Sequence, residues 1–129
     1  MLQLPPDISL RFEDRPGYLY AEVTGPRDSM QISLAYWAAI SAQCKARSVE
    51  RLMVVERLGD YQGERDMPRM IAALVAMGLD RIKVAFVVHR VELLPTMEHG
   101  EILAMEYGAN GRVFSSADLA ERWLRHGGS

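Results

Sequence analysis

The chain has 129 residues, enough for one domain that buries a core without help from a metal or disulfide. It is 49% hydrophobic and 25% charged, a folded-protein balance that argues against disorder. Its 15 basic and 17 acidic residues give a net charge of −2, which supplies no electrostatic pull toward nucleic acid or an anionic membrane surface. Cys44 is the single cysteine and has no internal partner, which points to a reducing compartment. Met1 to Pro6 shows no basic or apolar region of a signal peptide. No run reaches the roughly 18 apolar residues of a membrane span. The expectation is a cytoplasmic protein that is not transmembrane.

The elements follow from hydrophobic rhythm. Residues 8–13 alternate Ile8, Leu10 and Phe12 against Ser9, Arg11 and Glu13, a period of two that predicts a strand. After the turn at Arg15-Pro16-Gly17, residues 18–24 alternate Leu19, Ala21 and Val23 against Tyr18, Tyr20, Glu22 and Thr24, which completes a hairpin ending at Gly25-Pro26. Asp28 or Ser29 caps a helix running to about Arg47, with Met30, Leu34, Trp37, Ile40 and Cys44 on its core stripe and small alanines opposite. Residues 50–58 read as a strand buried on both faces, and 59–66 as a polar loop. Asp66 caps a second helix that carries Met70, Ile71, Leu74 and Met77 and stops at Gly78. Residues 82–88 form the strongest strand, and Pro95 opens a third helix ending at Gly108. Residues 112–115 make a short strand, and Ser115 with Asp118 fits a capping box for a last helix whose Ala120, Trp123 and Leu124 point inward. Gly127-Gly128-Ser129 reads as a frayed tail.

This order, β-β-α-β-α-β-α-β-α, predicts an α/β fold in one domain. Right-handed crossovers give a five-stranded mixed, mostly parallel sheet with four helices, its antiparallel edge strand supplied by the hairpin. The order and several phrases resemble the SpoIIAA-like branch of the STAS superfamily, which is described together with CRAL-TRIO lipid-binding domains. The phrases are Tyr18-Leu19-Tyr20-Ala21-Glu22-Val23-Thr24-Gly25, the helix with Trp37, Arg51-Leu52-Met53-Val54-Val55, Arg81 through Val88, Arg112-Val113-Phe114, and Ala120 through Trp123-Leu124. Anti-sigma-antagonist STAS domains carry a phosphorylatable Ser or Thr after the third strand. The matching segment here, Glu56 to Pro68, contains neither. The resemblance implies a non-enzymatic regulatory or binding module without that phosphoacceptor, often self-associating as a homodimer.

Chemistry-bearing residues are sparse. No nucleophile elbow, P-loop, dinucleotide fingerprint or metalloprotease motif occurs, so no enzyme activity and no cofactor are expected. His99 has Ile102 and Leu103 where a helical metal ligand would need a carboxylate, so no metal is expected. Cys44 lies on a core stripe and reads as a small buried hydrophobe. Open parallel sheets take ligands beyond the carboxyl ends of their strands. Arg27, Arg57 and Arg90 in those loops are candidates for holding an anion, with Tyr61 beside them. Glu56 and His89 are candidates for an acid–base pair. Solvated loop ends with local ion pairs are the plain alternative. Tyr18, Tyr20 and Glu22 share a sheet face that would serve a partner or a second copy if left open. Of the eight methionines, Met67, Met70, Met77, Met97 and Met105 fall in or at the ends of the second and third helices. They are either core filler or the lining of an apolar pocket. Three functions follow: a STAS-like binding module, a CRAL-TRIO-type carrier of an apolar small molecule, and an enzyme using Glu56 and His89.

Overall fold

The computed structural model describes residues 3–126; Met1, Leu2 and the Gly127-Gly128-Ser129 tail lie outside them. Strands β1 (Ser9–Arg15) and β2 (Tyr18–Ser29) form the hairpin, with Gly17 at φ +87°, a conformation open to glycine. Then follow α1 (Met30–Arg47), β3 (Arg51–Gln62), α2 (Met67–Ala76), β4 (Lys83–Val88), α3 (Leu94–Glu106), β5 (Asn110–Phe114) and α4 (Ala117–His126). Short 3₁₀ turns at Leu79–Arg81 and Val91–Leu93 precede β4 and α3.

The strands lie in the sheet in chain order. β1 is antiparallel to β2, and β2 through β5 are mutually parallel. This is the five-stranded mixed α/β sheet with four helices that the rhythm predicts. Strands laid down in order, each joined by a crossover of one hand, return every connecting helix to the same side. α1 and α2 therefore bury Leu19, Ala21, Val23, Leu52 and Val54 on one face, and α3 packs beside α2. α4 follows the last strand and covers the other face, over Tyr18, Tyr20, Met53, Val55, Ala85 and Val87. The period of two within β2 and β3 divides those residues between the two cores.

Several boundaries differ from expectation. β2 does not stop at Gly25-Pro26, nor β3 near residue 58. The two stay paired through Arg27↔Asp60, Asp28↔Tyr61 and Ser29↔Gln62. The β1 ladder ends at the pair Ser9↔Thr24, so Pro26 lies where β2 has a free edge and a missing N–H is tolerated. Gly59 makes the pairing fit, because a Cβ there would overlap the Pro26 carbonyl. β5 begins at Asn110 rather than at 112.

Helix α1 also departs from its expected stripe. Met30 and Leu34 are only partly buried, whereas Ile32, Ala35 and Tyr36 are buried with Trp37, Ile40 and Cys44. The helix packs against both β2 and α2, so it buries a wider arc than one stripe. In the last helix the cap is Ser116, not Ser115: its Oγ accepts from the Leu119 N–H at 3.4 Å. With the strand ending at Phe114, the box partner would be Leu119, and the reciprocal half of the capping box is lost.

Candidate functional site

Between the sheet and the three-helix layer lies a cavity of about 130 Å³. Trp37 from α1, Met70 and Leu74 from α2, Phe86 from β4, and Met97 and Ala104 from α3 form part of its wall. The Trp37 and Phe86 rings stack with centroids 5.7 Å apart. α3 approaches α2 closely at Gly100, where a Cβ would come within 2.9 Å of Met67 Sδ. Three of the five helix methionines, Met67, Met70 and Met97, line the cavity. Met105 is 63% exposed and takes no part in it.

The carboxyl halves of β2 and β3 bring polar groups to this apolar space. Asp28, Glu56 and Tyr61 line it, with Arg65 from the following loop. Glu56 is only 5% exposed, and its Oε1 accepts from the Leu58 N–H at 2.6 Å. Burial pushes its carboxyl up to about 7, only partly opposed by that hydrogen bond. Asp28 is also buried, and its Oδ1 accepts from Ser29 N at 2.7 Å and Ser33 Oγ at 2.9 Å. Burial raises its pKa, and the two hydrogen bonds oppose the rise. Burial likewise lifts the Tyr36 and Tyr61 hydroxyls above their ordinary range. The Tyr61 hydroxyl is enclosed with no hydrogen-bond partner among the described residues, while the Arg65 guanidinium carbon sits 3.8 Å from its ring centroid. The site can therefore enclose an apolar body and offer it hydrogen bonds through carboxyl groups that resist ionising.

The residues singled out from sequence are dispersed. Arg27 pairs with Asp7 at 3.2 Å, Arg57 pairs with Glu22, and Arg90 pairs with Asp60 at 2.8 Å. Each candidate anion-holding arginine already has its own carboxylate. Glu56 and His89 share no hydrogen bond: Glu56 is buried against the cavity and His89 is exposed. The acid–base pair is not assembled. Of the set, Glu56 and Tyr61 come to one site.

The proposed open face at Tyr18, Tyr20 and Glu22 also needs correction. Tyr18 and Tyr20 are 5% and 6% exposed, buried in the core beneath α4. Tyr18 donates to Glu121 of α4 at 2.7 Å, and the Arg15 guanidinium carbon lies 3.8 Å from the Tyr20 ring centroid. Glu22 bridges Arg11 and Arg57. The alternation was right, but α4 is amphipathic enough to claim this face. Cys44 is buried, and burial pushes its thiol up to about 11, the behaviour of a packed hydrophobe. Among the described residues, no group of three or more His, Cys, Asp or Glu is placed to hold a metal, and no helix is long and apolar enough to cross a membrane.

Sequence reasoning missed Asp28, Ser33, Trp37 and Phe86 as site residues. Asp28 and Trp37 were visible only as a cap and a core residue. Their convergence depends on β2 and β3 remaining paired beyond Pro26, which no local signal announces.

No family model matches the chain, and no curated protein matches it. Among solved structures, an anti-sigma factor antagonist from Mycobacterium paratuberculosis superposes with a TM-score of 0.61 over 95% of this chain and 99% of that one, at 18% identity. With its chain-order strands, antiparallel first strand and lone fourth helix, the protein has the fold of the SpoIIAA-like STAS domains.

Proposed function

We propose that the whole chain is one non-enzymatic STAS-like module, cytoplasmic, which regulates by binding a protein partner or a second copy of itself. The observation that carries this reading is the fold shared along nearly the full length with an anti-sigma factor antagonist. The internal pairing of Arg27, Arg57 and Arg90 supports it, since a binding module has no need of a free charged catalytic cluster. The segment from Glu56 to Pro68 holds no Ser or Thr, so control at that position is independent of Ser or Thr phosphorylation there. Asp66 instead caps α2, accepting from the Arg69 N–H at 3.1 Å. Calorimetric titration against anti-sigma factors encoded in the same genome tests the partner class. Micromolar or tighter binding is expected, and absence of binding to all of them overturns it. Light scattering tests self-association: a strict monomer at high concentration removes the homodimer.

A second reading is favoured by the cavity: a carrier of a small apolar ligand. Native mass spectrometry of protein purified from cells tests it, with a co-purifying small molecule expected and bare protein as the contrary result.

A further inference from the structure

The cavity's polar end has unused hydrogen-bonding capacity. The Tyr61 hydroxyl is enclosed without a partner among the described residues, although a phenol both donates and accepts. An enclosed polar group left unpaired costs about 1–3 kcal/mol, so a ligand that pairs it gains affinity. Glu56 accepts one hydrogen bond, from Leu58, and a carboxyl has acceptor sites beyond that.

We propose that the cavity binds a small ring-bearing alcohol, its apolar body between α2, α3 and the sheet and its neutral hydroxyl head at Tyr61 and Glu56. This deepens the ligand-carrying reading and rests on it. Size supports a single ring: the volume of about 130 Å³ is close to that of a cavity of roughly 150 Å³ known to admit benzene. The wall supports it too, since Trp37 and Phe86 offer aromatic faces and Met67, Met70 and Met97 adapt to an irregular guest. Charge selects the head. A carboxylate would sit beside Glu56 and Asp28, while of the two lining arginines Arg65 is stacked on the Tyr61 ring and the Arg112 guanidinium lies near the Phe114 and Trp123 rings. An ammonium would have to surrender its hydration to largely apolar walls. A hydroxyl accepts from Tyr61 and donates to Glu56 with no net charge buried.

The test titrates the full-length protein with phenol, toluene and benzoate, following the methyl resonances of Met67, Met70 and Met97. Phenol should bind about thirtyfold more tightly than toluene, the worth of two neutral hydrogen bonds at about 1 kcal/mol each, and benzoate more weakly than toluene. Tyr61→Phe should cut the preference for phenol about fivefold, the worth of the one bond it removes, while leaving toluene affinity unchanged. Ala104→Leu, which fills the cavity, should abolish binding of both. Equal affinity for phenol and toluene, or a preference undiminished in Tyr61→Phe, overturns the hydroxyl head and leaves the apolar carrier standing. No response to any probe, or undiminished binding in Ala104→Leu, overturns both.

Discussion

Under α4, the rings of Tyr18, Tyr20, Phe114 and Trp123 pack closely and cations cover their edges. Lys83 Nζ lies 4.5 Å from the Trp123 ring centroid, and the Arg112 guanidinium carbon 5.7 Å from it. Under α1, α2 and α3, carboxyl groups are buried instead, beside a space that side chains do not fill. The contrast traces to topology. One amphipathic helix can lie flat on twisted strands, and long basic side chains close its margins. Three helices must also pack on one another, and where α2 meets α3 at Gly100 a space remains beside β4 and β5. One face is thus built for closure and the other has room for a guest.

The largest effect that sharpens this comparison is truncation on the closed side. Trp123→Ala should cost about 3–5 kcal/mol in denaturant unfolding, because the ring is a main contact of α4 with the sheet. A loss below about 1 kcal/mol would mean that α4 is dispensable to that core.

On the cavity side, Glu56→Gln should stabilise the protein in a pH-dependent way. The folded carboxyl, at about 7, is above its ordinary 4.5, so the folded state holds the proton more tightly than the unfolded chain. Wild-type stability therefore falls as pH rises from about 4.5 to about 7 and levels off above. The variant lacks this loss, so its advantage should grow to about 3 kcal/mol at mildly alkaline pH and shrink in acid. Paired urea melts across that range check it; an advantage independent of pH would contradict it.

Tyr18→Phe removes the bond to Glu121 that ties α4 to β2 and should cost about 1–2 kcal/mol by the same melts. The smallest effects lie at the caps. Ser29→Ala, which loses a 3.1 Å bond to Ile32 N, should cost about 1 kcal/mol, and Ser116→Ala, with its longer 3.4 Å bond, less. The reverse order would show that α4 leans on its cap more than α1 does.

The faces of β1 and β2 could be read from period-two spacing, and the two-sided burial of β3 from its apolar run, because each side chain's face is a local property. The covering of Tyr18 and Tyr20 could not, since alternation marks a face without saying which helix lands on it. The same limit hid the cavity. Glu56 was visible as a charge at a strand end, but its burial depends on α1 and α2 closing over it. Asp28 looked like a cap because Pro26 masks the continuation of β2. Longer-range pairing, invisible in any local window, turned both residues into neighbours of one apolar space.

The central claim is that the three-helix face buries an acid beside an apolar cavity. The most direct measurement is the NMR titration of the Glu56 side-chain carboxyl carbon in the native protein. A midpoint near 7 is the expected result. A midpoint at or below the ordinary 4.5 would contradict it, showing a solvated carboxylate and an open strand end in place of an enclosed site.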